Sequence, residues 1–541
     1  MHGTCRTWTP IRGLTFNLGV RSDSFKQAGS NGVVFANLKN NIAPRIGVTW
    51  DPTGEGRDKI FANYGKYYLP IAANTAYRQA AGTYDFTSRY YNLAGYTPDP
   101  VTGLPTGGLG TQIVNYTGAR ACVAGGPSAA GVVGCTYQND GSFYEADQQH
   151  SKELKPTEED EFIVGYSHKF DNLWTVGVSL TYRNLVEGAD DVAIDYAVRA
   201  YCKEKGLVCD NYDGTLIDYA IINPGSAATV RLQSPLSSTG TELPTITFTA
   251  AQLGYPKPKR EYTALDLSFD RAFDGKWSFH GTYTLSELKG NYEGSSYSDY
   301  ASGQVDLGVT LQYDTLTLLE GAYGLLPNHH AHVFKAYGSY QLTENLMLGA
   351  NGTIISPRRV GCIGYNPNDD VLNNNYGPSY THYCGGKLVP QGTGTSTPWT
   401  SSFDTSLRYT VPKFFPYQGD LVLRADVFNI FNSRKAVNVQ NVAENGTVLY
   451  NAPLTGSPLS ATRTPVFGMP ITFQTPRYVR LGLRPDLLRP ASCGTGMAAG
   501  SERSPPFSLG DRAGRLSAQV GLCSPLEELS PPGPTEGRPE D

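Results

Sequence analysis

Residues Trp174–Arg183 read WTVGVSLTYR, and apolar and polar side chains alternate along the whole stretch. Leu14–Arg21 (LTFNLGVR) and Trp277–Leu285 (WSFHGTYTL) repeat the pattern. A period of two places successive side chains on opposite faces of a strand. These stretches therefore predict β-strands with one apolar face and one polar face.

Twelve such stretches occur, at about 14–23, 43–51, 59–68, 160–169, 174–184, 262–271, 277–287, 332–341, 346–355, 402–411, 420–431 and 477–484. From 43–51 onward, short connections rich in Gly, Asp, Asn and Pro alternate with long ones. The long ones cover roughly 69–159, 185–261, 288–331, 356–401 and 432–476. A transmembrane barrel has short turns at one end and long loops at the other. The alternation of short and long connections favours such a barrel over a soluble sandwich.

Composition narrows the class of protein further. The 541 residues are 40% hydrophobic and 17% charged, with 35 Tyr and 60 Gly. No run approaches the ~18 apolar residues of a spanning helix, whereas a barrel strand needs only ~9–11 residues. These values fit an outer-membrane barrel and also a secreted β protein. The net charge of −5 gives no reason to expect nucleic acid as a partner.

The two strand faces carry different chemistry. Aromatic residues such as Trp50, Trp174 and Trp277 lie beside the short turns, as expected at a membrane–water interface. Charged residues recur at the alternate positions, and a buried sandwich core could not hold so many unpaired charges. They are Arg21, Lys66, Arg183, Asp266, Asp270, Lys335, Asp404, Arg408, Arg424, Asp426, Arg480 and Arg484.

Several longer segments carry a family resemblance. They are Asn41–Tyr68, with its turn DPTGEG, then Leu154–Gly165 (LKPTEEDEFIVG), Tyr262–Glu293, Asp314–Lys335 with GLLPNHHAHVFK at its end, and Val427–Asn432 (VFNIFN). Together they resemble the C-terminal half of the barrel of a TonB-dependent receptor of the Oar-like subgroup. The segment at Asp314–Lys335 is the most specific of these, whereas VFNIFN marks only the wider superfamily.

The resemblance implies an all-β fold, an antiparallel transmembrane β-barrel portion with about 12 strands of the roughly 22 in a plugged transporter. It implies the outer membrane of a Gram-negative bacterium, with membrane lipid as a partner. It also implies binding and passage of a large or scarce solute by the intact protein. The TonB complex would act only through an N-terminal region absent from this sequence. No cofactor is expected.

We divide the chain into three parts. Residues 1–13 form a stub unlike the family, residues 14–487 form the barrel half, and residues 488–541 form a Pro/Gly/Ser-rich tail that is expected to be disordered. The start has no signal peptide, so we expect the true N-terminus to be missing. Pro485 and Leu487 stand where a barrel usually ends in aromatic residues, which suggests a frameshift or read-through.

Six of the nine cysteines fall in pairs within single long connections. Cys122 and Cys135 share one, Cys202 and Cys209 the next, and Cys362 and Cys384 a third, and these are the candidate disulfides. Cys5, Cys493 and Cys523 have no obvious partner. No C-x-x-C motif is present, which disfavours a metal site.

The long connections also contain the candidate ligand contacts. Aromatic side chains suit carbohydrate or peptide ligands, although they could equally pack the loops together. The candidates are Tyr84, Tyr90, Tyr91, Tyr96, Tyr297 and Tyr300.

We expect no catalytic or metal-binding residues. His329, His330 and His332 form an H-H-x-H cluster, but successive strand residues point to opposite faces, so an interfacial polar patch is the expected role. No nucleophile elbow, P-loop, H-E-x-x-H or dinucleotide fingerprint occurs. Two alternatives to a transporter segment remain. One is a structural or adhesive surface protein, and the other is a truncated, non-functional receptor remnant.

Overall fold

The computed structural model describes most of the strand-forming part of the chain. The described residues are 2–29, 32–72, 75, 84–88, 135–140, 145–171, 173–212, 218–294, 311–368, 381–415, 419–445, 462–463 and 466–486. The chain divides into two compact units, Met1–Leu487 and Leu488–Asp541. All described residues belong to the first unit, so the predicted tail lies outside them.

Strands dominate the described residues. They are β1 (His2–Ile11), β2 (Leu14–Ala28), β3 (Val34–Trp50), β4 (Asp58–Leu69), β5 (Tyr84–Ser88), β6 (Cys135–Asp140), β7 (Thr157–Lys169), β8 (Trp174–Glu187), β9 (Asp190–Ala193), β10 (Tyr219–Ile222), β11 (Ala228–Arg231), β12 (Thr245–Phe248), β13 (Arg260–Arg271), β14 (Trp277–Gly290), β15 (Gly324–Leu325), β16 (His332–Thr343), β17 (Leu346–Ile355), β18 (Arg359–Val360), β19 (Tyr383–Cys384), β20 (Lys387–Leu388), β21 (Thr395–Ser396), β22 (Thr400–Phe415), β23 (Gly419–Phe428), β24 (Ala436–Val439), β25 (Glu444–Asn445), β26 (Thr462–Arg463), β27 (Pro470–Phe473) and β28 (Tyr478–Asp486).

Helices are few and short. They are α1 (Ala146–Gln149), α2 (Asp195–Lys205) and α3 (Ala250–Leu253), with 3₁₀ turns at Asp210–Tyr212, Leu311–Tyr313 and Leu316–Leu319. In the part of the chain that the structure describes, no helix is long and apolar enough to cross a membrane.

One antiparallel sheet of 14 strands organises the molecule. Its order is β1-β2-β3-β4-β7-β8-β13-β14-β16-β17-β22-β23-β28, with β15 added to β14, so each long strand pairs with the next along the chain. The antiparallel fold class predicted from the sequence is therefore confirmed. β1 and β28 are the outermost strands, and no pairing joins them within the described ranges.

All twelve predicted strands are present, and β1 is an additional one. Its pairing with β2 sets Arg6 opposite Leu18 and Thr4 opposite Val20, so polar side chains share the apolar face of the sheet. Because HGTCRTWTPI does not alternate, the period that reveals the other strands is missing here. Backbone pairing along β2 alone defines this strand.

The register separates the two faces. Leu180, Leu265 and Leu285 lie directly opposite one another on β8, β13 and β14, and one residue along the same strands Asp266 lies opposite Thr284. Directly opposed residues share a face of a sheet. One face is therefore apolar and the other polar across neighbouring strands, as the alternation predicts.

The charged residues predicted for the polar face follow the register, with one exception. Lys66 lies opposite Asp160, on the same side of β4 as Tyr64, which lies opposite Phe162 on the apolar face. The prediction for Lys66 was therefore wrong. Its ammonium group pairs with Glu158 and lies 3.4 Å from Asp160, which satisfies the charge at the loop end of the strand.

Aromatic side chains surround the short turns. The rings of Trp174 and Trp277 lie 5.8 Å apart, and the guanidinium of Arg271 lies 3.8 Å above the Trp277 ring. Lys276 lies 4.8 Å above the Tyr340 ring. Rings that combine an apolar body with a nearby cation are typical of the boundary between lipid and water.

The turn after β3 shows why the sequence DPTGEG is used there. The carboxylate of Asp51 accepts hydrogen bonds from the amides of Gly54 (3.0 Å) and Gly56 (2.7 Å) and from the hydroxyl of Thr53 (3.0 Å). Gly54 and Gly56 have φ of 67° and 74°, which only glycine adopts readily. These hydrogen bonds, and that from the Gly56 amide most of all, lower the pKa of Asp51.

This turn makes a pH-dependent contribution to stability. A lowered folded-state pKa means that the contribution is complete above the ordinary value of 3.8 and is lost as the pH falls through the lower folded value. We expect Asp51→Asn to lower the urea midpoint of the protein in detergent at pH 7, and the gap to wild type to shrink below about pH 4.

The matched control for the turn is Glu55→Gln, because Glu55 is an exposed carboxylate in the same turn and accepts no backbone amide. Unfolding is followed by tryptophan fluorescence. A gap between wild type and Asp51→Asn that stays constant from pH 7 to pH 3 would contradict this account of the turn.

Candidate functional site: the loop layer and the cavity beneath it

Five long connections emerge from the same end of the sheet. We name them loop A (70–156), loop B (188–259), loop C (291–331), loop D (356–399) and loop E (429–477). Parts of loops A, C, D and E lie outside the described residues. The described parts hold each other in place through the contacts given below, and we call them together the loop layer.

Loop B forms a hydrophobic core of its own. Val198 of α2, Val230 of β11 and Phe248 of β12 are fully buried in one cluster, which also includes Tyr292 and Tyr313 of loop C. Helix α2 buries one side, because Ala197, Val198 and Cys202 follow helical spacing. It ends at Gly206, whose φ is 67°.

Loops A, B and C are joined by buried polar contacts. The amide of Ser151 in loop A donates to the carbonyl of Ile221 in loop B at 2.9 Å. The hydroxyl of Tyr255 in loop B lies 2.9 Å from the carbonyl oxygen of Ala193 and 3.1 Å from that of Asp314 in loop C. One tyrosine thus ties two loops together at a site from which water is excluded.

Loops C, D and E continue the layer. The amide of Gln391 in loop D donates to the carbonyl of Gly321 in loop C at 2.8 Å. The amide of Ile363 in loop D donates to Asn441 in loop E at 2.9 Å. The buried carboxylate of Glu444 in loop E accepts from the amides of Tyr365 and Gly385 in loop D. Each loop therefore contacts the next in chain order.

Burial perturbs several ionisable groups within the layer. Desolvation raises the pKa of Asp218 and, with the nearby Asp218 carboxylate, also raises that of Tyr212, whose hydroxyl donates to Asp218 at 2.6 Å. Burial lowers the pKa of His382 to about 4. The His382 imidazole is therefore uncharged at neutral pH, which suits a buried group that holds loops together.

The motif VFNIFN marks the point where β23 passes into loop E. Asn429 and Asn432 have φ of 49° and 53°, values that asparagine tolerates better than most residues. The Asn429 side-chain amide donates to the carbonyls of Ser433 (2.9 Å) and Thr475 (2.8 Å). The two asparagines therefore turn the chain out of the sheet and close the base of loop E.

A polar cavity lies below loop C at the loop end of the polar face. We call it the rim cavity; its volume is about 380 Å³, and its lining includes Arg183, Arg260, Tyr262, Asp266, Glu293 and Asn328. One guanidinium nitrogen of Arg260 lies 2.6 Å from Glu159, and another donates to the Glu293 carbonyl at 2.9 Å. The Asn328 amide donates to the Glu293 carboxylate at 3.0 Å.

The rim cavity combines hydrogen-bonding groups of both kinds with an aromatic wall. The guanidinium of Arg183 lies 5.9 Å from the Tyr262 ring centroid and pairs with Glu161. Fixed donors and acceptors beside an aromatic ring are suited to polar ligands such as sugars or peptides. Ion pairing holds the arginines in place, so the cavity is pre-formed.

The structure places the candidate cysteines as follows. Cys202 and Cys209 are joined by a disulfide with Cα atoms 6.3 Å apart, at the end of α2. Cys362 and Cys384 are joined likewise, with Cα atoms 5.8 Å apart, in loop D. Cys122 lies outside the described residues, and of Cys135 only the backbone in β6 is described.

The candidate ligand-contact tyrosines belong to loops A and C. Tyr90, Tyr91, Tyr96, Tyr297 and Tyr300 lie outside the described residues, and of Tyr84 only the backbone in β5 is described. The rim cavity was not identified from the sequence. A signal for it existed, because Arg183, Tyr262 and Asp266 all fall at polar-face positions of adjacent strands near the loop end.

The three histidines of the H-H-x-H cluster go to three different partners. His329 Nδ1 accepts from the Leu288 amide at 3.2 Å, and His330 Nδ1 lies 2.8 Å from the Ser356 carbonyl oxygen. His332 Nδ1 lies 2.9 Å from the Tyr283 hydroxyl. The three rings do not converge on one point.

Known proteins give the arrangement a family context. The sequence matches no protein-family model. It is 25% identical over 510 residues to the TonB-dependent transporter Oar of Myxococcus xanthus, covering 88% of this chain and 42% of that protein. The chain is therefore similar to a TonB-dependent transporter of the Oar type. This Oar-like chain spans less than half the length of that transporter.

Solved receptors resemble the Oar-like chain weakly in structure. The siderophore receptor PiuA of Acinetobacter baumannii gives a TM-score of 0.41 at 10% identity, over 90% of this chain and 42% of that one. The ferric-catecholate import receptor Fiu of E. coli K12 gives 0.39 at 11% identity, over 90% and 44%. At these TM-scores they define no residue-by-residue correspondence.

Tyr255→Phe tests the coupling of loops B and C. It removes the hydroxyl that bonds the carbonyls of Ala193 and Asp314, and we expect it to destabilise the loop layer by about 1–2 kcal/mol. Amide hydrogen exchange of peptides around both carbonyls should accelerate. Tyr323→Phe, at an exposed tyrosine of loop C, is the control and should leave exchange unchanged. Equal exchange in the two variants would contradict the assignment.

The cysteine pairs give a second prediction for the loop layer. Non-reducing mass spectrometry should show Cys122–Cys135, Cys202–Cys209 and Cys362–Cys384 linked. Replacing Cys362 and Cys384 by serine should lower the stability by about 2–4 kcal/mol. The loss should exceed that of the same change at Cys202 and Cys209, because the cysteines are 22 residues apart in the first pair and 7 in the second. Free thiols at all six positions in protein from an oxidising compartment would refute the pairing.

Proposed function

We propose that the Oar-like chain forms the C-terminal part of an outer-membrane transporter barrel, which binds a scarce solute at the cell surface and passes it inward with energy supplied through TonB. The observation that carries the proposal is the division of the sheet into an apolar face and a charged face, capped at one end by the loop layer. The apolar face suits lipid, and the charged face suits a polar interior.

The rim cavity is the proposed solute contact. It lies where a molecule coming from the loop layer would first meet the charged face, and Arg260, Asn328 and Tyr262 offer donors and an aromatic ring. We propose a carbohydrate or a peptide as the solute, because such ligands use hydrogen bonds and aromatic stacking together. Tyr84, Tyr90, Tyr91, Tyr96, Tyr297 and Tyr300 remain proposed contacts on the loops above.

Membrane lipid and the TonB complex are the proposed partners. TonB would bind a part of the intact protein that does not belong to this sequence. The competing functions are a surface adhesin and an inactive remnant. An adhesin would bind its ligand at the loops without accumulating it in the cell, and a remnant would neither bind nor accumulate it.

Labelling tests the orientation of the chain in the membrane. Thr241→Cys lies in exposed loop B and Glu55→Cys in the exposed turn after β3. In intact cells, a membrane-impermeant maleimide should label the first, whereas the second should react only after the outer membrane is permeabilised. Equal labelling of both positions in intact cells would rule out the proposed arrangement.

Uptake measurements test the transport itself. Cells producing the intact receptor are offered a panel of labelled oligosaccharides and peptides, and accumulation of at least one should stop when TonB is deleted. Arg260→Ala with Tyr262→Ala should lower that uptake about thirtyfold, since each removes a contact worth about 1 kcal/mol. Arg57→Ala, at the exposed turn, is the control. Binding that persists without TonB-dependent accumulation would support the adhesin instead.

A further inference from the structure

Three arginines gather on the polar face of the last three long strands. Arg408 of β22 lies directly opposite Arg424 of β23, and Arg480 of β28 lies directly opposite Asp426 of β23. We call Arg408, Arg424 and Arg480 the arginine patch. Neighbouring strands lie about 4.8 Å apart, so the patch spans roughly 10 Å.

One buried carboxylate forms ion pairs with two of these arginines. Asp426 is 3% exposed. One of its oxygens lies 2.6 Å from Nε of Arg424, and the other lies 2.8 Å from Nη2 and 3.0 Å from Nε of Arg480. The Arg480 guanidinium also lies 5.2 Å above the Phe428 ring. The two guanidinium groups are therefore held in fixed directions.

The patch carries more positive charge than its own carboxylate neutralises. Among the described residues Arg408 has no ion-pair partner, so three cations share one anion. The Arg424 and Arg480 side chains remain 55% and 60% exposed, with guanidinium donors left over. Like charges placed directly opposite on neighbouring strands destabilise a sheet. Elsewhere on the polar face, Arg21 pairs with a single carboxylate, that of Asp23, at 2.8 Å.

A glycine leaves open space beside the patch. Gly482 of β28 lies directly opposite Arg424. A Cβ atom built on it would meet nothing closer than the Cβ of Arg424 at 4.0 Å. Gly482 thus leaves a gap in the side-chain cover of the polar face next to Arg424. Planar guanidinium groups bind carboxylates and phosphates through paired, charge-assisted hydrogen bonds.

We propose that the arginine patch is an anion-binding site, and that the transported solute carries carboxylate or phosphate groups which bind there after leaving the rim cavity. This inference rests on the proposed function for its solute. The patch, with three guanidinium groups spread over roughly 10 Å, suits a small multivalent anion. An anion placed there removes the repulsion between Arg408 and Arg424.

Calorimetric titration tests the site in the full-length protein purified in detergent. The probes are inorganic pyrophosphate and the tricarboxylate tricarballylate, with sorbitol as an uncharged comparison. Both anions should bind, sorbitol should not, and added salt should weaken the binding. Arg408→Gln should weaken it about tenfold, the expected loss of one charge-assisted contact. Arg408→Lys should retain part of it.

Three further variants sharpen the test. Gly482→Glu supplies a built-in carboxylate beside Arg424 and should abolish anion binding, whereas Gly482→Gln, of the same size, should reduce it far less. Arg21→Gln removes a singly paired arginine of the same face and should leave binding unchanged. Arg408 has no ion pair among the described residues, so folding of its variants does not depend on one.

Three results would overturn the proposal. They are absence of binding to both small anions, equal weakening by Arg21→Gln and Arg408→Gln, and binding of a hexaglutamate peptide when neither small anion binds. The last would assign the patch to an acidic protein segment. The titration needs neither TonB nor a membrane potential, so its result can be interpreted even if the uptake test fails. Failure of the anion site can therefore be distinguished from failure of the proposed transport function.

Discussion

Inside a bilayer every backbone N–H and C=O must find a partner within the protein, because lipid offers none. Sequential antiparallel pairing meets this demand for the strands between β1 and β28, and the rest of the structure depends on it. The pairing also fixes the register, and a shift of one residue would move Asp266 to the lipid side and Leu265 to the polar side. The alternation in the sequence and the pairing in the structure are two consequences of one constraint.

Beyond the membrane the constraint changes, because water can bond to irregular backbone. In the short turns, backbone amides bond to side chains of the same turn, as the amides of Gly54 and Gly56 do with Asp51. The long loops solve it collectively by building a hydrophobic core around Val198 and Phe248 and by exchanging hydrogen bonds such as that of Tyr255. The loop layer is therefore a folded part of the molecule, able to hold the rim cavity and its ion pairs in a fixed arrangement.

Much of the fold could be predicted from the sequence, because strand period and turn chemistry are local. Trp174–Arg183 predicts its strand unaided, and DPTGEG predicts its turn. One local prediction failed and one strand was missed, each for an identifiable reason. The β1 sequence does not alternate, and this strand forms only because its backbone pairs with β2. Lys66 was assigned to the polar face, but its strand places it on the apolar side, where Glu158 and Asp160 neutralise its charge. For the candidate site, the sequence indicated only that ligand contacts lie in the long connections, and it did not identify the rim cavity.

The sequence by itself determined the two-faced strands, the alternation of short and long connections and the relationship to Oar-like receptors. Only the tertiary structure decided which charges meet. Arg260 pairs with Glu159, 101 positions away, and Asp426 is shared by Arg424 and Arg480 on two different strands. The physical reason is that side-chain period is a property of a single strand. Contacts between strands and between loops depend on register and on loop packing, which no single stretch of sequence contains.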